Sequence, residues 1–311
     1  MFEEDKLRKI FFPQYVCRVN EFHGDGKKLA YYTSAHVARS VLEKHEFWMT
    51  NLSHMNDNSE VAYGCKLLND LFKSGFEKEF LNVMQEYIGM DRNAAEDVLA
   101  QFEKEKLGWK LNTYATCFTE HLDGEDDDGR LSMWRGYGNE NGVAMVFDIS
   151  KIDDALDGSR VNLTPVEYLK IDKLIDEANE LLSQIRSKKE ELCKYKPEFL
   201  KEYIMNVLRF AIISIKHPGF AEEKEWRLVG HAKNLKLNTE EINGMVQQVY
   251  KLKLRGFKLA EGLDRIILAP TTDVFAREMT RKAFVRLIEE NLRIEHGRAE
   301  EMVTVSSIPY R

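Results

Sequence analysis

Two hydrophobic periods alternate along this chain, and together they predict its elements. Val37, Val41 and Leu42 share one face of a stretch from about 35 to 46, with Arg39, Glu43 and Lys44 opposite. Ser34 stands at its start, where a side-chain oxygen can cap the first free amides, so the spacing predicts a helix. From about 59 to 107 the pattern is again helical, with Leu67, Leu68, Leu71 and Phe72 on one face and Phe80, Leu81 and Met84 on another. Residues 172–195 and 198–216 make two further helical stretches, broken at Pro197, which a helix interior does not tolerate. Thr272 or Asp273 caps a last helix, with Phe275, Met279, Ala283, Leu287 and Ile288 expected inward.

Between these lie short β-like runs, at 29–34, 47–50, 112–119, 142–148, 161–168, 224–230, 265–269 and 302–305. They are rich in β-branched and aromatic residues, which suit a pleated, half-buried surface. Strands and helices are mixed without a regular β–α alternation, which predicts an α+β fold. With no internal repeat and no convincing linker, residues 1–311 read as a single α+β domain. The helical pair at 172–216 reads as an inserted hairpin, a lid or a contact between copies of the chain.

Composition narrows the classes. Of 311 residues, 43% are hydrophobic and 11% aromatic, enough for a sizeable core. The net charge of −7 argues against general nucleic-acid coating, while a local basic cleft stays open. Cys17, Cys65, Cys117 and Cys193 show neither metal-ligand spacing nor a disulfide framework, so reduced thiols in a cytoplasmic protein are expected. The first residues have no signal-peptide shape, and no apolar run approaches a membrane span. The acidic run 121–129 lacks the alternate ligand spacing of an EF-hand and is expected to be a solvated, mobile loop. GxSxG, Walker, HExxH, CxxC and Rossmann glycine signatures are absent, and no pair of histidines has metal spacing.

Three constellations remain. The first combines Tyr31, Tyr32, Thr33, Ser34, Trp48, Asn56, Asp57 and Glu60 within about thirty residues. Alternation puts Tyr31 and Thr33 on one strand face and Tyr32 on the other. The bland alternative is tyrosines in the core and an Asx turn at 56–58. The second is Trp134-Arg135 with Tyr137-Gly138, where an arginine beside aromatics can grip a phosphate or stack on a flat ring. A core tryptophan and a surface arginine would explain it equally. The third is Glu222-Glu-Lys-Glu-Trp-Arg227, where period two puts Glu223, Glu225 and Arg227 on one strand face. Two carboxylates and a guanidinium are costly to bury unless paired, so the face belongs either to a solvated edge or to a functional cleft.

The blocks at 29–34, 47–51, 55–60, 133–138, 223–227 and 306–311 resemble, in order, a large and mostly bacterial family catalogued as domain of unknown function 2971. That family usually opens Tyr-His-Tyr-Thr-Ser, and Ala30 and Tyr31 stand here in place of its Tyr and His. The opening is also similar to ADP-ribosyltransferase-type domains, including DarT-like toxins and RNA 2′-phosphotransferases. That resemblance implies a central split, mixed or antiparallel sheet with flanking helices, and NAD as substrate. It implies that Tyr31 and Thr33 contact nicotinamide and its ribose, that Trp48 or Tyr32 stacks on the nicotinamide, and that Glu225 stabilises the oxocarbenium-like centre. Glu223 would hold or activate an acceptor, which is a protein or a nucleic acid. Ser34, Asn56, Asp57, Trp134, Arg135 and Arg227 complete the expected binding set. The resemblance further implies a toxin or anti-phage effector. Two rival expectations stand beside it: a catalytically silent nucleotide- or partner-binding module, and a metal-dependent nuclease using Asp57, Glu60, Glu223 and Glu225.

Overall fold

A computed structural model of the protein describes residues 2–24, 27–54, 59–138, 141–148, 150–151, 160–242, 244–253, 259–271 and 273–309. The principal elements run α1 (Phe2–Phe11), α2 (Pro13–Gly24), β1 (Lys28–Ser34), α3 (Ala35–Lys44), β2 (Glu46–Asn51), α4 (Ser59–Leu71), α5 (Glu77–Glu86), α6 (Arg92–Asn112) and β3 (Thr113–His121). They continue with β4 (Gly142–Asp148), β5 (Val161–Pro165), β6 (Glu167–Tyr168), α7 (Ile171–Ser187), α8 (Pro197–Ser214), β7 (Ile215–Lys216) and β8 (Glu225–His231). The chain closes with β9 (Asn238–Ile242), β10 (Met245–Lys253), β11 (Leu263–Leu268), α9 (Val274–Leu292), α10 (His296–Glu301) and β12 (Val303–Val305). The fold is α+β, and its residues group into two units, each assembled from three stretches of chain.

The first unit comprises Met1–Asn20, Asn51–Thr113 and Pro165–Ala221 and is mostly helical. The long helical pattern of 59–107 breaks twice, at a π turn over Phe72–Phe76 with Gly75 at φ 97° and again around Gly89 at φ 80°. Leu67, Leu68, Leu71, Phe80 and Met84 are buried as their spacing predicts. Pro197 is the first residue of α8, where its missing amide costs nothing. α7 and α8, expected as an insertion, pack here against α1 and α4, and α8 also meets α6. α4 and α8 touch backbone to backbone: a Cβ on Gly64 would sit 2.6 Å from the Ile212 carbonyl oxygen. The strand predicted over 161–168 divides, because β6 pairs in parallel with β7 as a separate two-stranded sheet.

The second unit comprises Glu21–Thr50, Tyr114–Thr164 and Glu222–Arg311 and holds the large mixed sheet. Its main path is β12-β11-β4-β1-β3-β2-β10-β9, with β8 also paired to β3 and β5 to β8. β11 and β12 are parallel, whereas β1 runs antiparallel to both β3 and β4. β1 pairs with β4 along its full length, but with β3 only at Lys28, Leu29 and Ala30. From Tyr31 onward that second pairing ends.

Each sheet face has its own core. Ala30 and Tyr32 pack with Met133, Trp134, Ala144, Val146 and Ile267 on one side. Tyr31, Phe47, Phe118 and Phe147 interlock on the other, with ring centroids 5.4–5.7 Å apart for the Phe47 pairs and Tyr31–Phe118. Most of these contacts are edge-on, as the ring quadrupole favours. α9 is capped by Asp273, which accepts from the Ala276 amide; Thr272 lies outside the described residues. Its predicted inner face holds at Ile288 but not toward its N-terminal end. Phe275 and Met279 are exposed, and the buried positions are Phe284, Val285, Ile288 and Leu292, because the helix packs through its C-terminal half. Among the described residues no helix is long and apolar enough to cross a membrane.

Candidate functional site

β3 brings the two distant halves of the expected site together. Leu29 of β1 lies opposite Glu120, and the Glu120 amide donates to the Lys224 carbonyl just ahead of β8. Neighbouring strands are about 4.8 Å apart, so the two motif strands are separated by about 10 Å across β3. Residues nearly two hundred positions apart in sequence thereby share one stretch of sheet.

The Glu223-Lys-Glu-Trp-Arg227 block does not run as a continuous strand. Glu223 ends a 3-10 turn over Pro218–Glu223, and Lys224 sits at φ 43°, the left-handed region, before β8 begins at Glu225. That conformation costs a side-chain-bearing residue about 1–2 kcal/mol. It also breaks the two-residue alternation, so Glu223 is not aligned with Glu225 and Arg227 as the period predicts. Glu225 and Arg227 do share a face, and they engage each other: Arg227 Nε donates to Glu225 Oε1 at 2.7 Å and Nη2 to Oε2 at 2.9 Å. This two-pronged pair is almost wholly buried, with side chains 7% and 2% exposed. Trp226, on the opposite face, is buried against Phe22 and donates to Glu120 Oε1 at 3.0 Å. The block is therefore interior sheet, not a solvated edge.

Glu223 is only partly buried, and its carboxylate accepts a hydrogen bond from the Tyr137 hydroxyl at 3.2 Å. Tyr137 belongs to a π turn over Trp134–Gly138 whose two ends are buried while Arg135, Gly136 and Tyr137 are exposed. Trp134 is wholly buried and donates from Nε1 to the Asp128 carbonyl at 2.8 Å. The turn thus uses one aromatic as an anchor and presents a second, with a guanidinium, to solvent.

Tyr32 is committed to the interior. Its ring meets Trp134 edge-on at 4.8 Å, its hydroxyl accepts from the Arg130 amide at 2.8 Å, and burial pushes its pKa far up. Tyr31 keeps part of its surface exposed, but crowding around its hydroxyl raises its pKa, opposed in part by a hydrogen bond with Thr33. Ser34 caps α3 by accepting from the Val37 amide at 3.3 Å. Trp48 donates to the buried Glu46, and the ammonium groups of Lys44 and Lys251 lie 5.7 and 4.7 Å from its ring centroid. Asn56 and Asp57 lie outside the described residues, and the Glu60 side chain does too.

The acidic run after β3 is held at many points. Arg130 donates to both carboxylate oxygens of Glu125, at 2.7 and 3.1 Å. His121 Nε2 lies 2.9 Å from Asp126 Oδ1, and Arg265 pairs with the other Asp126 oxygen at 2.8 Å. The Ser307 amide donates to Asp128. Gly129, at φ 68°, lets the chain pass 2.9 Å (measured from a would-be Cβ) from the Trp134 ring and the Tyr32 hydroxyl. The expectation of a solvated loop holds for the exposed Asp123 and Asp127, whereas Glu125, Asp126 and Asp128 have partners. Burial holds the His121 pKa below its ordinary value, against the opposing pull of Asp126 and Glu125.

Arg130 escaped the sequence reading, although its side chain bonds to Glu125, Thr119 and three backbone carbonyls. It sits just ahead of the Leu131–Gly138 block, and no periodicity or spacing marks it. Its only signal is an arginine directly after a glycine in an acidic run. Among the described residues no group of three or more His, Cys, Asp or Glu is arranged to hold a metal ion.

Residues 133–228 match the model of a family described as protein of unknown function, DUF2971. The matched segment contains the Trp134–Gly138 turn and the Glu223–Arg227 block, and it excludes β1 and β2. No curated protein and no solved structure matches the chain.

Proposed function

We propose that the DUF2971 segment and β1 together form an ADP-ribosyltransferase-like site that takes NAD as substrate and modifies a protein or nucleic acid. The observation that carries this reading is the meeting of β1 and the Glu223–Arg227 block on opposite sides of β3, with Leu29, Glu120 and Lys224 in one row. The end of β1–β3 pairing at Ala30 leaves Tyr31 and Thr33 beside a parting of strands, which is compatible with a split-sheet cleft.

The roles shift from those that the resemblance implies. Glu225 is spoken for by Arg227, so it and its partner serve to hold β8. Glu223, partly exposed and bonded to Tyr137, is the carboxylate we assign to face a reacting centre. In the transfer, the bond from ribose C1′ to the nicotinamide nitrogen breaks and its electron pair neutralises the pyridinium. The Glu223 carboxylate stabilises the cationic ribose, an acceptor oxygen or nitrogen attacks C1′, and the acceptor's proton passes to Glu223 and on to solvent. Tyr32 is too enclosed to stack on nicotinamide, and the two ammonium groups at Trp48 would repel a pyridinium; Tyr137 is the exposed ring beside Glu223. Arg135, exposed in the same turn, supplies a cation for the diphosphate.

Nicotinamide release by the purified protein, alone and with cell lysate, tests this. Release is expected, with at least a hundredfold loss in Glu223→Gln and a melting temperature within about 2 °C of wild type, since the residue is near the surface. A second reading, a silent binding module, is favoured by the complete engagement of Glu225 with Arg227. It predicts a thermal shift with NAD and no turnover. The absence of both release and a thermal shift would remove NAD from consideration.

A further inference from the structure

We infer that Arg130 is the positioning residue of this site: its guanidinium holds the strained Glu223–Lys224 corner, and so aims the Glu223 carboxylate, while its backbone ties that corner to β1. The role given to Glu223 rests on the transferase reading; the clamp on the corner stands on geometry alone.

The contacts converge from four directions. Arg130 Nη1 donates to the Glu222 carbonyl at 2.7 Å, to the Glu223 carbonyl at 3.4 Å and to Thr119 Oγ1 at 2.9 Å. Nη2 donates to the Glu120 carbonyl at 2.7 Å, and Nε and Nη2 grip Glu125. Thr119 in turn donates from Oγ1 to the Glu223 carbonyl. The Arg130 amide donates to the Tyr32 hydroxyl of β1. The side chain is 10% exposed and Glu125 is 14% exposed, so the pair is largely shielded from solvent. A planar guanidinium with five N–H groups can serve carbonyls and a carboxylate at once, which a lysine ammonium cannot.

The two carbonyls that Arg130 fixes belong to the residues immediately before Lys224, the non-glycine residue with φ 43°. Backbone strain of this kind persists only where surrounding contacts over-determine it. Arg130 and Thr119 provide that constraint on one side, and the Glu120 amide provides it on the other through the Lys224 carbonyl. With the backbone of residue 223 so fixed, its carboxylate has few directions left, and Tyr137 selects among them.

Arg130→Lys keeps the charge and removes the fork. Amide hydrogen exchange at 222–226 should quicken at least tenfold in this variant, while β11 keeps its wild-type protection. With NAD, kcat for nicotinamide release should fall at least tenfold and KM should stay within twofold. Glu125→Gln, which loosens the anchor of Arg130 but leaves the arginine, should show the same pattern to a smaller degree, and it serves if Arg130→Lys does not fold. Unchanged exchange at 222–226, or equal loss of protection in β11, would overturn the clamp. A loosened corner with kcat intact would overturn its role in aiming Glu223. If wild type releases no nicotinamide while the corner still loosens, the transferase reading fails and the clamp stands.

Discussion

Glu225 and Arg227 illustrate how the same residues support opposite roles until their partners are known. In sequence they are a carboxylate and a guanidinium two apart on a strand, which reads as a catalytic carboxylate with an orienting arginine. In the structure each satisfies the other in a nearly dry setting. Glu225→Ala would take the two-pronged carboxylate partner from a buried guanidinium, at a cost of about 3–5 kcal/mol. That is a large share of a typical stability of about 5–15 kcal/mol, so chemical denaturation should show a markedly lower midpoint. A midpoint within error of wild type would instead show that the pair contributes little to holding β8. His121 gives the residue scale a pH dependence. Its folded pKa is depressed by burial, so the unfolded chain binds the proton more readily. The contribution to stability is therefore complete above about pH 6.5, the ordinary histidine value, and is lost as pH falls below it through the folded pKa. Melting curves from pH 7.5 to pH 5 should decline, and His121→Gln should flatten the part of that slope nearest pH 6.5. A slope identical in the variant would assign the decline to carboxylates elsewhere.

At the scale of elements, much was legible because local rules and tertiary packing agree. Ser34 and Asp273 cap the helices that their positions announce, and Pro197 opens α8. β4 reads as a buried strand and is buried from Gly142 to Phe147. Three readings failed where the deciding fact lies in another element. The phase of α9 is set by what packs on its C-terminal half, so Phe275 and Met279 looked inward by spacing and are not. The acidic run looked solvated throughout because Arg130, His121 and Arg265 were not known to face it. Glu223 looked in phase with Glu225 because nothing in a sequence announces a left-handed lysine. α4 and α8 make the same point through closeness. Gly64 reads as an unremarkable helix residue, yet a single methyl there meets the Ile212 carbonyl oxygen at 2.6 Å. Gly64→Ala, which would stabilise an isolated helix by about 1 kcal/mol, should here cost about 1–3 kcal/mol by forcing the helices apart. A raised melting temperature would show that the pair separates freely.

For the whole molecule, the informative fact is that each unit is stitched from three separate stretches. The family match at 133–228 contains β4 without β1 and β11, the first four residues of β8 without β3, and α8 without α4 and α6. Expressed alone, that fragment should show no cooperative thermal transition by circular dichroism, in contrast to the full chain. A sharp transition would mean that the matched segment is a self-sufficient module and that the rest is decoration. The same stitching explains why one domain with an inserted hairpin was the natural reading of the sequence: no linker marks a boundary when the chain crosses it repeatedly. The α+β class was legible from irregular alternation of periods. The pairing of β1 and β8 on one strand was not, since it joins segments nearly two hundred residues apart.

The main path of the large sheet ends at β9 on one side and at the three-residue β12 on the other. An open row of amides and carbonyls invites another chain to continue the ladder, and proteins that must stay apart in crowded solution blunt such rows. β12 does so by brevity. β9 does so by charge, with Glu240 and Glu241 consecutive along it and Glu240 tied to Lys251 of β10. A strand arriving at β9 would have to lay its side chains against adjacent carboxylates. The two glutamates thus protect the protein against fibre growth and edge-to-edge clumping, a duty separate from any chemistry at β3.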